Sequence, residues 1–328
     1  MNRHYVLLIH GIGNQGGGFS KSLEENVLEA CEGYVGEILG QRQDPRTSID
    51  VHEVLWADAT QGVQDELWKR LYGNRLGGKV YSLWSWTDPS KWFVRAQDMA
   101  LLREFVVSYL GDTVAYDEPA LADAAPVPPT KYDKIHNRVM NKIDACAADA
   151  LGKGATQNDP ALLTIVAHSF GSVIAKDLYD DCINRRYNRR WPDQLKLANF
   201  ITLGSPLALY AVQYDRLEDF RPIDVPAPGV WLNVYDPQDI LGFPLKPLHG
   251  PGGQFDQAVR ADIRLNAGSV FNPLSWTPLS HEYYWNDSTV AKIIGRKLAI
   301  DYAKEGSLLP PADIQRRYDA YDEWVRNI

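Results

Sequence analysis

The chain has 328 residues, of which 45% are hydrophobic and 23% are charged. This composition supplies a large apolar core and excludes a chain that is disordered or fibrous as a whole. The formal net charge of −8 is mildly acidic and leaves no basic footprint for nucleic acid, so we expect no nucleic-acid partner.

The first half of the chain opens with an alternation of strand and helix. Residues 5–9 (YVLLI) form a continuous apolar run, which is typical of a strand buried on both faces. A helical pattern follows at 19–32, and residues 49–56 alternate in the manner of a second strand. The helical pattern then recurs in three segments, at 60–72, 98–110 and 131–150.

The second half continues the same alternation. Buried strands are predicted at 161–167, 197–203 and 230–235, and helices at 172–179, at 288–302 and after the Pro-Pro break at 310–311. Strands that alternate with helices predict an α/β fold, with a mostly parallel central sheet flanked by helices. The connection between the second and third strands is too long for one crossover. We therefore expect one domain over 1–328 with an inserted cap or lid at 57–130.

Tryptophan is concentrated in the predicted cap. The chain has ten tryptophans, and an irregular stretch around residues 73–97 carries Trp84, Trp86, Trp92 and Phe93. One hypothesis is that these rings form an apolar wall for an acyl chain, or a surface that contacts a lipid membrane peripherally. Ordinary packing inside the cap explains the same pattern equally well.

Residues 167–171 (AHSFG) lie between a predicted buried strand and a predicted helix, where a nucleophile elbow of the G-x-S-x-G type belongs. Small residues two positions before and after Ser169 leave room for a very tight turn. Such a turn exposes the serine hydroxyl at the N-terminus of the helix, where negative charge is stabilised. Ser169 is therefore the candidate nucleophile. The alternative is a serine that only caps the helix.

A serine nucleophile needs a histidine base and an acid that orients it, and on this fold the acid precedes the histidine. After Ser169 the chain offers His281, just before the last long helix, and His249, in a Pro/Gly-rich loop. We favour His281. Asp236 and Asp239 both follow the strand at 230–235, and we favour Asp239 as the acid, with Asp236 as the alternative. We expect the aspartate that is not the acid to hold backbone N–H groups of the turn.

An oxyanion hole requires two backbone donors. One is expected from Phe170, the residue after the nucleophile. The second is expected from the glycine-containing loop at 10–15 (HGIGNQ), where Ile12 is the first choice and Gly11 the next. We expect His10 to brace this loop and to take no part in catalysis.

The segments HGIGNQ, AHSFGS, WLNVYDPQDI and SHEYYW together resemble the α/β-hydrolase superfamily. Within it, the pattern is similar to serine esterases and lipases of the intracellular-lipase kind, including GPI-inositol-deacylase-like and DDHD-domain proteins. In such families the second aspartate of the D-x-x-D turn is usually the triad acid, which again favours Asp239. The resemblance implies a serine hydrolase that cleaves carboxylic esters, among them lipid esters, without a cofactor.

Three other readings stay open at this stage. An acyltransferase or a thioesterase would use the same acyl-enzyme with a different acceptor or substrate. Gly11, Gly13 and Gly16 also spell the G-x-G-x-x-G loop of nucleotide-dependent oxidoreductases. A non-catalytic binding module would need a broken triad, and none of the three residue types is missing.

The remaining sequence features predict a simple soluble protein. The three cysteines, Cys31, Cys146 and Cys182, are widely separated and lack metal-site spacing, so we expect no metal. No apolar run approaches a membrane span, and the N-terminus lacks the features of a signal peptide. We therefore expect a cytoplasmic location.

Overall fold

A computed structural model describes residues 3–11, 17–57, 59, 116, 130–266 and 278–328. Its centre is a six-stranded sheet in the order β2-β1-β3-β4-β5-β6, in which every neighbouring pair is parallel. The strands are β1 His4–Ile9, β2 Ile49–Val54, β3 Ala161–His168, β4 Leu195–Leu203, β5 Val230–Tyr235 and β6 Val259–Arg264. The predicted α/β class is confirmed.

Helices lie between the strands and after the last of them. In chain order they are α1 Lys21–Leu39, α2 Lys131–Gly152, α3 Phe170–Ile183, α4 Leu207–Tyr210, α5 Gln254–Ala258, α6 Ser288–Glu305 and α7 Pro311–Arg326. Short 3₁₀ helices lie at Pro45–Thr47, Arg186–Asn188, Ala211–Gln213, Leu217–Asp219 and Lys246–His249, and a longer one at Pro278–Asn286. None of the helices in the described part of the chain combines the length and the hydropathy needed to cross a bilayer.

The chain divides into two compact units. The larger comprises Met1–Gly11, Gly16–Leu55 and Val139–Ile328, and therefore contains the whole sheet. The smaller comprises Ile12–Gln15 and Trp56–Arg138. Most of the predicted cap at 57–130 lies outside the described residues, as do the helices predicted at 60–72 and 98–110, so these stay predictions.

The described part of the smaller unit includes the start of α2. Thr130 and Asp133 form a reciprocal cap, in which the Asp133 N–H donates to Thr130 Oγ1 and the Thr130 N–H donates to the Asp133 carboxylate. One turn later, Tyr116 and His136 share a hydrogen bond of 2.6 Å between the phenol oxygen and Nε2. The aromatic ring of Tyr132 packs against both.

The sheet of the larger unit is covered on both faces. Side chains alternate along a strand, so Val6 and Tyr5 in β1 point to opposite faces. Val6 belongs to the core formed with α1, α6 and α7. Tyr5 donates to Asp149 of α2 at 2.5 Å, and α3 in turn contacts α2 through Cys182. This three-layer arrangement buries the strands and explains their continuous apolar runs.

Two differences from the sequence-based elements have physical reasons. The strand predicted at 49–56 ends at Val54, because the Ala59 N–H donates to the Trp56 carbonyl and a turn begins there. Strand β6 was not predicted. Its sequence VRADIR buries only every second residue, as a strand at the edge of the sheet does, and it therefore lacks an apolar run.

Helices α1 and α6 approach closely at one glycine. A β-carbon added to Gly295 would lie 2.7 Å from the Val27 carbonyl oxygen and 2.9 Å from the Cys31 backbone nitrogen. Backbone atoms inside a helix cannot move aside for it, so the two helices pack at this distance only because residue 295 has no side chain.

Gly295→Ala should therefore destabilise the protein by about 1–3 kcal/mol through overpacking, despite the better helix propensity of alanine. Gly33→Ala on α1 is the matched control, since outside the adjacent backbone of its own helix no atom lies within 4 Å of the added β-carbon. That variant should stabilise the fold by about 0.5–1 kcal/mol. Urea denaturation measures both changes in free energy of unfolding, and an equal effect of the two variants would contradict the close approach.

Candidate active site

The site lies where the strand order reverses. From β1 the chain adds β2 on one side and β3 to β6 on the other, so the carboxyl ends of β1 and β3 form a topological switch point. Ligands of open α/β sheets bind in the crevice at such a point. Here the residues that follow the two strands meet, since a β-carbon on Gly11 would lie 2.5 Å from Ser169 Cβ.

Ser169 occupies a strained backbone conformation between β3 and α3. Its φ of 54° and ψ of −132° lie in a region that side-chain-bearing residues rarely adopt, at a cost of about 1–3 kcal/mol. The serine is buried, and its hydroxyl has no hydrogen-bond partner among the described residues. Its N–H donates to the Leu203 carbonyl at 2.8 Å, which anchors the turn to the end of β4.

The elbow is tight on the side of α3 as well. A β-carbon on Gly171 would lie 2.4 Å from the His10 carbonyl oxygen, so only glycine lets α3 start this close to the end of β1. Ser172 then ties the helix to the turn, because its hydroxyl donates to the Ser169 carbonyl at 2.6 Å. The same hydroxyl shares a hydrogen bond of 2.7 Å with Ser205 Oγ. These contacts hold Ser169 in its strained geometry.

The structure pairs His281 with Asp239. His281 Nδ1 lies 2.9 Å and 2.8 Å from the two Asp239 carboxylate oxygens, and both side chains are buried. A carboxylate only accepts, so Nδ1 carries a proton, and whenever the ring is neutral Nε2 is its basic nitrogen. A second donor, the Leu241 N–H, reaches Asp239 Oδ1 at 2.9 Å.

Asp236 performs the other role considered for it. Its side chain accepts the Gln238 N–H at 2.8 Å, and its carbonyl accepts the Asp239 N–H at 3.0 Å. The turn after β5 is thus an Asx-turn held by Asp236, and it presents the aspartate three residues later.

A 3₁₀ helix brings the histidine to this acid. Pro278–Asn286 has three residues per turn, so residues three apart lie on the same side. His281 and Tyr284 accordingly both face Asp239, and the Tyr284 hydroxyl donates to Asp239 Oδ2 at 2.9 Å. Sequence reasoning placed His281 here but missed Tyr284. The H-x-x-Y spacing would have been the signal, had a 3₁₀ helix been predicted.

His168 holds the histidine from the other side. Its Nε2–H donates to the His281 carbonyl at 2.7 Å, and the two rings lie 4.6 Å apart. His168 directly precedes Ser169. This hydrogen bond therefore holds the 3₁₀ helix that carries His281 against the residue before the serine. Gly204 leaves room for this histidine, since a β-carbon there would lie 3.2 Å from His281 Nδ1. Gly204 follows Leu203, which anchors Ser169.

Burial and charge set the protonation states. Burial alone would raise the pKa of Asp239, but the hydrogen bond and charge of His281, with the donors Leu241 and Tyr284, outweigh it and hold the pKa below its usual value. Burial and the charge of His281 lower the pKa of His168 to about 3. The acid is therefore ionised and His168 neutral at ordinary pH.

The other sequence-predicted residues are distributed as follows. Phe170 is buried and begins α3, where backbone N–H groups point out of a helix. His10 is buried, its Nδ1 lies 2.6 Å from the Gly11 carbonyl oxygen, and its ring packs against Phe19. His249 bonds to the Leu217 carbonyl instead of joining the site.

Five residues that the sequence assigns to the site or the cap lie outside the described part of the chain. They are Ile12, Trp84, Trp86, Trp92 and Phe93, so the second oxyanion donor and the aromatic wall stay predictions. Over the described ranges, no group of three or more histidine, cysteine or acidic side chains is arranged to hold a metal ion.

Comparison with known proteins leaves the family open. No protein-family model matches the chain, and no curated protein does. A solved structure of an uncharacterized protein from Pseudomonas aeruginosa is similar at 12% identity and a TM-score of 0.32. The match covers 96% of this chain and 52% of that one, so the chain spans about half the length of that protein. A similarity this low carries no argument about function.

His168 should make stability depend on pH. Its pKa is about 3 when folded and about 6.5 ordinarily, so the unfolded chain binds an extra proton between these values. Stability should then fall as pH drops below 6.5, by about 1.4 kcal/mol per pH unit for this group. His4, whose pKa burial lowers to about 4, adds to the same slope.

Urea denaturation of the wild type and His168→Asn at pH 7 and pH 5 measures this effect. Over that interval the wild type should lose about 2 kcal/mol more than the variant. Parallel losses would mean that His168 is not held neutral by the fold.

Proposed function

We propose that the protein is a serine hydrolase that cleaves carboxylic esters through a covalent acyl-enzyme. The observation that carries the proposal is the strained, buried Ser169 at the start of α3. It follows His168, whose Nε2–H donates to the carbonyl of His281, and His281 is itself hydrogen-bonded to the buried Asp239 carboxylate. Nucleophile, base and orienting acid are the three parts that this chemistry needs. Ser169 follows β3, Asp239 lies in the turn after β5, and His281 lies in the 3₁₀ helix before α6.

In the proposed mechanism, Ser169 Oγ attacks the ester carbonyl carbon while His281 Nε2 takes the hydroxyl proton. The Phe170 N–H, with Ile12 as the second donor suggested by the sequence, stabilises the oxyanion. The ester C–O bond then breaks, and His281 gives its proton to the leaving alcohol. Water then attacks the acyl carbonyl carbon while His281 takes one of its protons. The bond between the acyl carbon and Ser169 Oγ breaks, His281 returns that proton to Oγ, and the carboxylic acid departs.

Asp239 supports both halves of this reaction. Its charge stabilises the imidazolium that forms when His281 takes a proton, and its hydrogen bond keeps Nε2 directed away from the carboxylate. Both effects are strong because the pair is buried, and a low local dielectric strengthens each electrostatic interaction.

The contact between Gly11 and Ser169 also favours the hydrolase over a dinucleotide site. A side chain on Gly11 would fall 3.0 Å from Ser169 Oγ, where a substrate must bind. The tight turn at Ser169 thus explains why residue 11 is a glycine, and a bound dinucleotide is not needed to explain it. A hydrolase also employs Ser169, Asp239 and His281, which the oxidoreductase alternative leaves without a role.

Ser169→Ala should abolish labelling by a fluorophosphonate probe, because the probe forms its bond with the serine oxygen. Hydrolysis of a p-nitrophenyl ester series should fall by several orders of magnitude, since the triad residues act as a unit. Ser288→Ala, at an exposed serine, is the control and should label normally. A wild type that does not label, or a Ser169→Ala variant that labels at the wild-type rate, would refute the nucleophile.

The two aspartates of the turn should respond differently to the same change. Asp239→Asn should lower kcat by about 10³–10⁴-fold, because an amide facing Nδ1 favours the wrong tautomer of His281. Asp236→Asn keeps the oxygen that accepts the Gln238 N–H and should retain most of the activity. Steady-state kinetics on one ester measures both variants. Larger losses in the Asp236 variant would reverse the assignment.

A further inference from the structure

The Tyr284 hydroxyl joins the acid turn to the histidine segment. It donates to Asp239 Oδ2 at 2.9 Å and accepts the Asp236 N–H at 2.7 Å. A single oxygen atom therefore satisfies two buried groups of the turn that follows β5. We infer that Tyr284 is a positioning residue, which fixes the rotamer of the Asp239 carboxylate so that it meets His281 Nδ1. This inference rests on the proposed function and deepens it.

Two glycines make room for the contact. A β-carbon on Gly204 would lie 2.7 Å from Asp239 Oδ2 and 2.7 Å from Tyr284 Cε2. A β-carbon on Gly242 would lie 2.8 Å from the same carboxylate oxygen and 3.3 Å from the Tyr284 hydroxyl. Side chains at either position would push the phenol away from the acid. The space between β4, β5 and the 3₁₀ helix thus fits this tyrosine–aspartate bond closely.

The Tyr284 hydroxyl is one of the three hydrogen-bond donors that surround the Asp239 carboxylate. Among the described residues, Asp239 accepts from the Leu241 N–H on Oδ1, from Tyr284 on Oδ2 and from His281 on both oxygens. Without the phenol, Oδ2 would keep only the histidine, and rotation of the carboxylate about its Cβ–Cγ bond would no longer be opposed on that side. The buried Asp236 N–H would also lose its acceptor. Tyr284 therefore acts on the chemistry through Asp239, and not by touching the substrate.

The test compares Tyr284→Phe with Tyr318→Phe. Tyr318 makes the same kind of bond, since its hydroxyl donates to a buried aspartate oxygen, Asp301 Oδ1, at 2.8 Å. Its partner belongs to a different hydrogen-bond network, with Lys297 and Asn199. The two variants thus delete the same hydroxyl, and thermal unfolding shows whether both remain folded.

Two measurements are made on each variant. Steady-state hydrolysis of p-nitrophenyl butyrate should show kcat reduced about 10- to 100-fold in Tyr284→Phe with little change in KM, as expected for a misplaced group. Tyr318→Phe should keep the wild-type kcat. The ¹⁵N spectrum of labelled histidine reports the tautomer of His281, which should be Nδ1–H in the wild type and Tyr318→Phe but mixed in Tyr284→Phe.

The outcomes separate the inference from the proposed function. If Tyr284→Phe matches Tyr318→Phe in both kcat and tautomer, Tyr284 only supports the fold and the inference is wrong. If the wild type shows no labelling that depends on Ser169, the proposed function is wrong. The histidine spectra of the two variants then still decide whether Tyr284 fixes the Asp239–His281 pair, because they do not depend on turnover.

Discussion

The close approach of the ends of β1 and β3 is the constraint on which the rest of the site depends. Ser169 turns with a positive φ, and this turn fits only because Gly11 and Gly171 carry no side chains. The strained backbone of Ser169 is stabilised by a hydrogen bond, because its N–H donates to the Leu203 carbonyl. A less tight turn would move the hydroxyl away from the crevice at the switch point of the sheet.

The acid and the histidine depend on a second constraint, which is the high free energy of a buried charge. Asp239 is buried, so its carboxylate is stable only where donors surround it. Those donors come from Leu241, His281 and Tyr284, and they fix the orientation of the carboxylate as well as its ionisation. The stability of the buried charge and the geometry of the proposed triad therefore depend on the same hydrogen bonds, which is why a phenol that acts only through Asp239 can matter for the proposed reaction.

The central strands of the sheet were predictable because they are buried. The strands at the centre of the sheet lie between two layers of helices, so their side chains are apolar on both faces and their sequences are distinctive. Strand β6 lies at the edge and alternates, and Asp262 within it accepts backbone N–H groups of Leu245 and Lys246. Polar residues that serve such local contacts obscured the strand. The 3₁₀ helix at Pro278–Asn286 has no apolar period that would reveal it.

From sequence alone came the α/β class, the placing of Ser169 at a strand-to-helix turn, and the candidate order of nucleophile, acid and base along the chain. These are local properties, since apolar runs and glycine spacing act over a few residues. Tertiary structure decided which partners meet: Asp239 with His281 across 42 positions, Tyr284 with Asp239 across 45, and His168 with the His281 carbonyl across 113. Such contacts arise only when parallel strands align their carboxyl ends, because the sheet brings together residues that the chain keeps far apart.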